Sequence, residues 1–141
     1  TMIYVADSKE EARYEVSPYP LAYGHLHRAL ERDTPESKQL RRGLERSHPG
    51  LVEDLISDSK KVEAAYEPYG VERLDAPWAQ YVTESLIDYF HLTGKPEDIN
   101  ERISVLGELG VKNISTVMFT ILDKKGMMRS INKEVMPHFQ S

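Results

Sequence analysis

The sequence predicts an α/β chain whose strands run parallel. Three observations carry this reading: a short β-branched and aromatic run at residues 2–6 (Met-Ile-Tyr-Val-Ala), a second apolar run at 114–119, and helical patterning through most of the rest. Strands joined by helical crossovers return in the same direction, so the order strand, long helical excursion, helix, strand, helix implies parallel pairing. Two strands are too few for a parallel sheet covered on both faces. The remaining strands are expected from elsewhere, either residues beyond these or another chain. The chain opens directly in the β-like run Thr1-Met2-Ile3-Tyr4-Val5, which reads as a cut end.

Each element has its own local signal. After the first run, Asp7-Ser8-Lys9-Glu10-Glu11 puts Ser8 and Glu11 at capping-box spacing, so a strand hands over to a helix through Ala12 and Val16. Pro18 and Pro20 must break it, since proline lacks the amide donor, and a second helical piece follows through Leu30. Thr34-Pro35-Glu36 starts another helix, Pro49-Gly50 punctuates, and a helix is expected over 51–66. Glu67-Pro68-Tyr69-Gly70 ends it, Asp75-Ala76-Pro77-Trp78 opens a new segment, and Thr83-Glu84 caps a short turn through Leu86, Ile87 and Phe90. Gly94-Lys95-Pro96-Glu97-Asp98 places proline at the first helical position and acids in the first turn, with Ile99, Ile103 and Leu106 as an apolar stripe and Gly110 where a C-cap glycine belongs. The run 114–119 then reads as a buried strand, 123–126 as its loop, and Met128, Ile131 and Val135 as the inward face of a closing helix stopped by Pro137.

Composition excludes several function classes. The 141 residues are 40% hydrophobic and 29% charged, an ordinary globular balance. A net charge of -5 supplies no basic field for a nucleic-acid backbone, so nucleic acid is not an expected partner. The absence of cysteine removes disulfides, thiolate metal sites and cysteine nucleophiles, which fits a reducing compartment and makes the cytoplasm the default. No stretch approaches the roughly 20 apolar residues that span a bilayer, and no signal-peptide core stands at the start. No Ser/His/Asp order, glycine-rich phosphate loop or metal motif stands out, leaving hydrolase and kinase readings without support.

Four segments in order carry a resemblance: Tyr4-Val5-Ala6-Asp7-Ser8-Lys9-Glu10-Glu11-Ala12-Arg13, then Gly94-Lys95-Pro96-Glu97-Asp98-Ile99, then Leu109-Gly110-Val111-Lys112-Asn113-Ile114, then Glu134-Val135-Met136-Pro137. The chain resembles the C-terminal portion of the bacterial luciferase-like family of flavin- and deazaflavin-dependent oxidoreductases and monooxygenases. The resemblance implies the last two strand–helix units of a TIM (β/α)8 barrel plus a long helical excursion leaving the mouth where such barrels hold their active sites. On that reading 1–30 holds strand seven and its helix, 31–93 the excursion, and 94–141 a helix, strand eight and the final helix. It implies a reduced FMN or deazaflavin that transfers hydride or activates oxygen on a small-molecule substrate. Most cofactor contacts would come from earlier strands, since a complete barrel takes about 250 residues. The partner is then the missing barrel half or a second copy of the chain, and a non-catalytic half-barrel acting as an interaction or complementing subunit is the alternative.

The family's helix-start threonine is Lys95 here. Glu97 and Asp98 would repel a phosphate at that helix terminus, so exposure is the favoured role for Lys95. The resemblance points to Tyr23 as the cofactor-binding aromatic beside the flavin ring, and His25 near it, a pH-sensitive donor suited to hydrogen-bond a flavin intermediate or substrate, is the candidate catalytic residue. Against these stand a tyrosine packed under the excursion and a histidine at the surface. His25 and His27 do not suggest a metal pair, because residues two apart on a helix diverge and no third ligand has a recognisable spacing. Tyr66, Tyr69, Trp78 and Tyr81 either wall an apolar substrate pocket or anchor the excursion.

Overall fold

The computed structural model describes residues 1–16, 23–66, 76–116 and 123–139. In chain order these form β1 (Ile3–Val5), α1 (Lys9–Val16), α2 (Leu26–Leu30), α3 (Pro35–Ser47), α4 (Leu51–Ala65), α5 (Glu84–Phe90), β2 (Leu92–Gly94), α6 (Pro96–Glu108) and α7 (Lys124–Ser130), then a π turn (Ile131–Val135) and a 3-10 turn (Met136–His138). A further 3-10 turn, Ala79–Tyr81, precedes α5. The chain divides into two compact units, Thr1–Val16 with Ile87–Ser141, and Ser17–Leu86.

The first unit is built on one parallel pair, with Ile3 opposite Leu92, Tyr4 opposite Thr93 and Val5 opposite Gly94. The strand that pairs with β1 is one that composition did not announce. Of the run 114–119, Ile114, Ser115 and Thr116 carry no strand, and 117–119 lie outside the described residues. β2 falls on Leu92–Gly94, at the end of the stretch read as helical excursion. A three-residue strand containing Thr93 and Gly94 has no periodicity of its own, so only its long-range partner β1 defines it.

Each strand feeds a helix by the expected chemistry. At α1 the Ser8 hydroxyl accepts the Glu11 amide at 3.1 Å, and the Glu11 carboxylate turns back to the Asp7 amide at 3.1 Å. At α6, Pro96 takes the first helical position and Gly94, at φ 119°, makes the turn out of β2. The helix ends in a left-handed Gly110, with the Val111 amide reaching back to the Leu106 carbonyl. Met2, Ala12, Val16, Ile99 and Val135 pack the interior of this unit. In the closing helix the buried residue is Met127, not Met128, which is 54% exposed. The inward residues are Met127 on α7 and Ile131 and Val135 on the π turn that follows it.

The second unit is helical among the described residues. Thr34 caps α3 by accepting the Ser37 amide at 3.2 Å, and Gly50, at φ 84°, separates α3 from α4. Pro18, Pro20, Tyr69 and Asp75 lie outside the described residues. Tyr23, Leu30, Leu55, Val62, Trp78 and Val82 form its core, each wholly removed from solvent. Trp78 is therefore a core residue, edge-on to Tyr66 with ring centroids 5.2 Å apart, while Tyr81 is partly exposed.

Candidate functional site

In the second unit the sequence-derived candidates converge on one carboxylate. His25 is the N-cap residue of α2 rather than part of its helical turn. Its side chain is 58% exposed, with Nδ1 3.8 Å from a Glu63 oxygen. His27 sits inside α2, buried, with Nε2 3.3 Å from the other Glu63 oxygen, and Arg28 pairs with the same carboxylate. The expectation that His25 and His27 diverge is thus corrected, because only one of them has helical neighbours on both sides. Among the described residues no group of three or more His, Cys, Asp or Glu side chains is arranged to hold a metal ion.

Beneath this lies a hydrogen-bonded knot that the sequence did not disclose. The wholly buried Ser59 hydroxyl donates to the Tyr23 carbonyl at 2.6 Å and accepts the His27 amide at 2.9 Å, with His27 Nδ1 3.2 Å away. Ser59, His27 and Glu63 have the connectivity of a nucleophilic triad. The serine proton is committed to a carbonyl and no surface of it is accessible, so the arrangement ties α2 to α4 instead. The Tyr23 ring likewise has no accessible surface.

In the first unit an open cleft of about 340 Å³ lies where β1 and β2 begin. Tyr89, Phe90, His91, Arg102 and Leu106 line it, together with the segment 113–115 after α6. His91 is 2% exposed, and its Nδ1 accepts the Met2 amide at 3.0 Å. Burial pushes its pKa down to about 3, helped by the amino terminus and Arg102, so the ring is neutral at pH 7 with its proton on Nε2. Burial also raises the Tyr89 phenol, which stays protonated. Arg102 donates to the Asp88 backbone carbonyl at 2.5 Å and lies 3.6 Å from the Asp88 carboxylate, which Lys9 meets at 3.1 Å.

The opposite, C-terminal ends of the strands carry the Asp7-Ser8 and Gly94-Lys95 turns. Lys95 is exposed there, as expected, and gives the helix no side-chain cap. Tyr4, within β1, has its phenol raised to about 12, first by burial and then by Glu15 and Glu11. No helix of the described residues is long and apolar enough to cross a membrane.

Over 59 residues the chain is 37% identical to 5,10-methylenetetrahydromethanopterin reductase of Archaeoglobus fulgidus. That match covers 42% of this chain and 18% of the relative, so the chain corresponds to a small part of that protein's length. No family model matches the chain, and no solved structure matches it. The similarity is thus to a segment of an enzyme named as a reductase, and oxidoreductase is the class to which this chain bears a likeness.

Proposed function

We propose that the chain is the C-terminal portion of a luciferase-like flavin- or deazaflavin-dependent oxidoreductase, active only as part of a complete barrel. The observation that carries this is the 37% identity with a reductase over 59 residues. The parallel pairing of β1 with β2 supports it, as does the way each strand passes into a helix, which is the repeating unit of such a barrel. The cofactor ring would supply hydride transfer or oxygen activation. The described residues do not by themselves fit a cofactor phosphate: α6 begins with Glu97 and Asp98, and α7 is capped by Asp123, so these helix starts already face acids. That anchor belongs to residues beyond those described. His25, accessible on the second unit, is retained as the candidate donor to ligand. Tyr23 would serve it from below, by packing, rather than by stacking on the ring.

A second reading, a non-catalytic half-barrel that complements another subunit, is favoured by the edge of β1 remote from β2. There the Ile3 amide is met by the Thr116 hydroxyl at 3.1 Å and the Val5 amide by the Met127 sulfur at 3.2 Å, side chains standing where a strand would pair.

Fluorescence titration with FMN and with a 5-deazaflavin separates the two readings. The protein from the complete reading frame should bind one of them at micromolar concentration and use it for hydride transfer, while the 141-residue chain alone binds neither. Absence of binding and turnover in the complete protein would overturn the enzyme reading. In the same protein, Tyr23→Ala should lower the melting temperature, and a loss of affinity without loss of stability would restore a stacking role.

A further inference from the structure

We propose that the solvent-facing sides of α6 and α7 form a self-complementary surface through which two copies of the chain pair about a two-fold axis. The proposal stands apart from the barrel reading, because it uses surface residues of the first unit and no cofactor.

Two rows of charge define the surface. On α6 the buried residue is Ile99, and Glu97, Glu101 and Glu108 are exposed on the other side. Along α7 and the π turn, Met127, Ile131 and Val135 are buried, while Lys125, Arg129 and Lys133 are exposed at intervals of four. None of these six charged residues has an ion-pair partner among the described residues. Like charges one turn apart repel, so each row costs its own element some stability, and a facing row of opposite sign removes that cost. At 1.5 Å per residue the rows are each roughly 12–16 Å long, so they match in length.

Both rows carry apolar surface with them. Val105, Leu109 and Val111, within and just after the acidic row, are 49%, 76% and 42% exposed. Met128 and Met136, beside the basic row, are 54% and 38% exposed. Apolar centres with charged rims are the composition of protein contacts, whereas a solvated helix face needs no such hydrophobics.

The fold sets these rows side by side. α6 packs on the π turn, with Asn100 Nδ2 donating to the Glu134 carbonyl at 3.1 Å, so the acidic and basic rows lie on neighbouring elements of one unit. A second copy turned by half a rotation lays acid on base twice, and the contact closes at a pair. An anionic lipid surface would take the basic row but would repel Glu97, Glu101 and Glu108, so a second copy is the better occupant.

Sedimentation equilibrium of the 141-residue chain tests the pairing. The native mass should rise with concentration from 16.2 kDa toward twice that value. Two triple variants carry the decision. Glu97→Lys, Glu101→Lys and Glu108→Lys together make both rows basic, and Lys125→Glu, Arg129→Glu and Lys133→Glu together make both acidic. Each variant alone should pair at least roughly tenfold more weakly than the native chain, and an equimolar mixture should recover the native affinity, because every row again meets its opposite. Leu109→Asn, at a residue too exposed to serve the packed interior, should weaken the native pair and the mixed pair alike. That variant separates a contact on this face from attraction of net charge, and it decides the matter if a triple variant fails to fold. A native chain that stays monomeric, triple variants that pair as the native chain does, no recovery on mixing, or pairing indifferent to Leu109→Asn each overturn the interface. Pelleting of the native chain with phosphatidylserine vesicles in place of pairing would assign the basic row to a lipid surface and overturn it too.

Discussion

The Nδ1 of His91 accepts the amide of Met2, joining the residue before β2 to the residue before β1. The bond requires an unprotonated Nδ1, and burial holds the ring in that state, with a pKa near 3. An unfolded histidine titrates near 6.5, so the group is depressed on folding. Above pH 6.5 both states are neutral and nothing is lost. As pH falls from 6.5 toward 3, the unfolded chain takes up a proton that the folded chain refuses, and stability declines by up to about 1.4 kcal/mol per pH unit. Between pH 6.5 and 5, before most carboxylates titrate, urea midpoints should fall for the native chain and stay flatter for His91→Gln. Parallel slopes for the two would show that His91 is not the group responsible.

Removing the Ser59 hydroxyl should cost more than its size suggests. Ser59→Ala leaves the Tyr23 carbonyl without this donor and the His27 amide without this acceptor, inside a core that water does not reach. A stability loss of about 1–3 kcal/mol is expected in urea denaturation. A loss of a few tenths would mean that the knot has relaxed onto other partners.

Legibility followed the range of the interactions. The Ser8–Glu11 box, the Thr34 cap, Pro96 at the start of α6 and Gly110 at its end are local devices, and each was readable from spacing. β2 was not, because Leu92–Gly94 becomes a strand only by pairing with residues far away in sequence. Met127 rather than Met128 takes the core position, and since residues three and four before Ile131 share a helix face, spacing alone did not choose between them. The cleft escaped for the same reason as β2: Tyr89, Arg102 and Ser115 come from separate segments. His25 is exposed, as the surface alternative had it, whereas its shared use of Glu63 with His27 depends on α2 starting only at Leu26, after His25.

Two glycines of the first unit should respond oppositely to alanine. Gly94 has φ 119°, and a Cβ there would stand 3.3 Å from the Asp98 carboxylate, so Gly94→Ala should destabilise by more than about 1 kcal/mol. Gly107 lies within α6 with open space around it, so Gly107→Ala should stabilise by about 0.5–1 kcal/mol. Thermal melts of both variants test the α6 start and the β2 turn together. A neutral Gly94→Ala would mean that this turn is not held as described.

The final expectation concerns association through β1. Its remote edge has the Ile3 amide on a threonine hydroxyl and the Val5 amide on a methionine sulfur. Sulfur is a weak acceptor, so exchanging it for the carbonyl of an incoming strand is favourable, and nothing charged lies within Ile3–Val5 to oppose such pairing. Val105, Leu109 and Val111 add exposed apolar surface on the same unit. The chain should therefore self-associate as concentration rises, and Met127→Leu, which keeps the packing volume but removes the sulfur acceptor, should strengthen association by leaving the Val5 amide in search of a partner. Light scattering during size-exclusion chromatography measures both. A constant mass near 16.2 kDa for the native chain and for Met127→Leu, across a wide dilution series, would show that the two side chains suffice to close the edge.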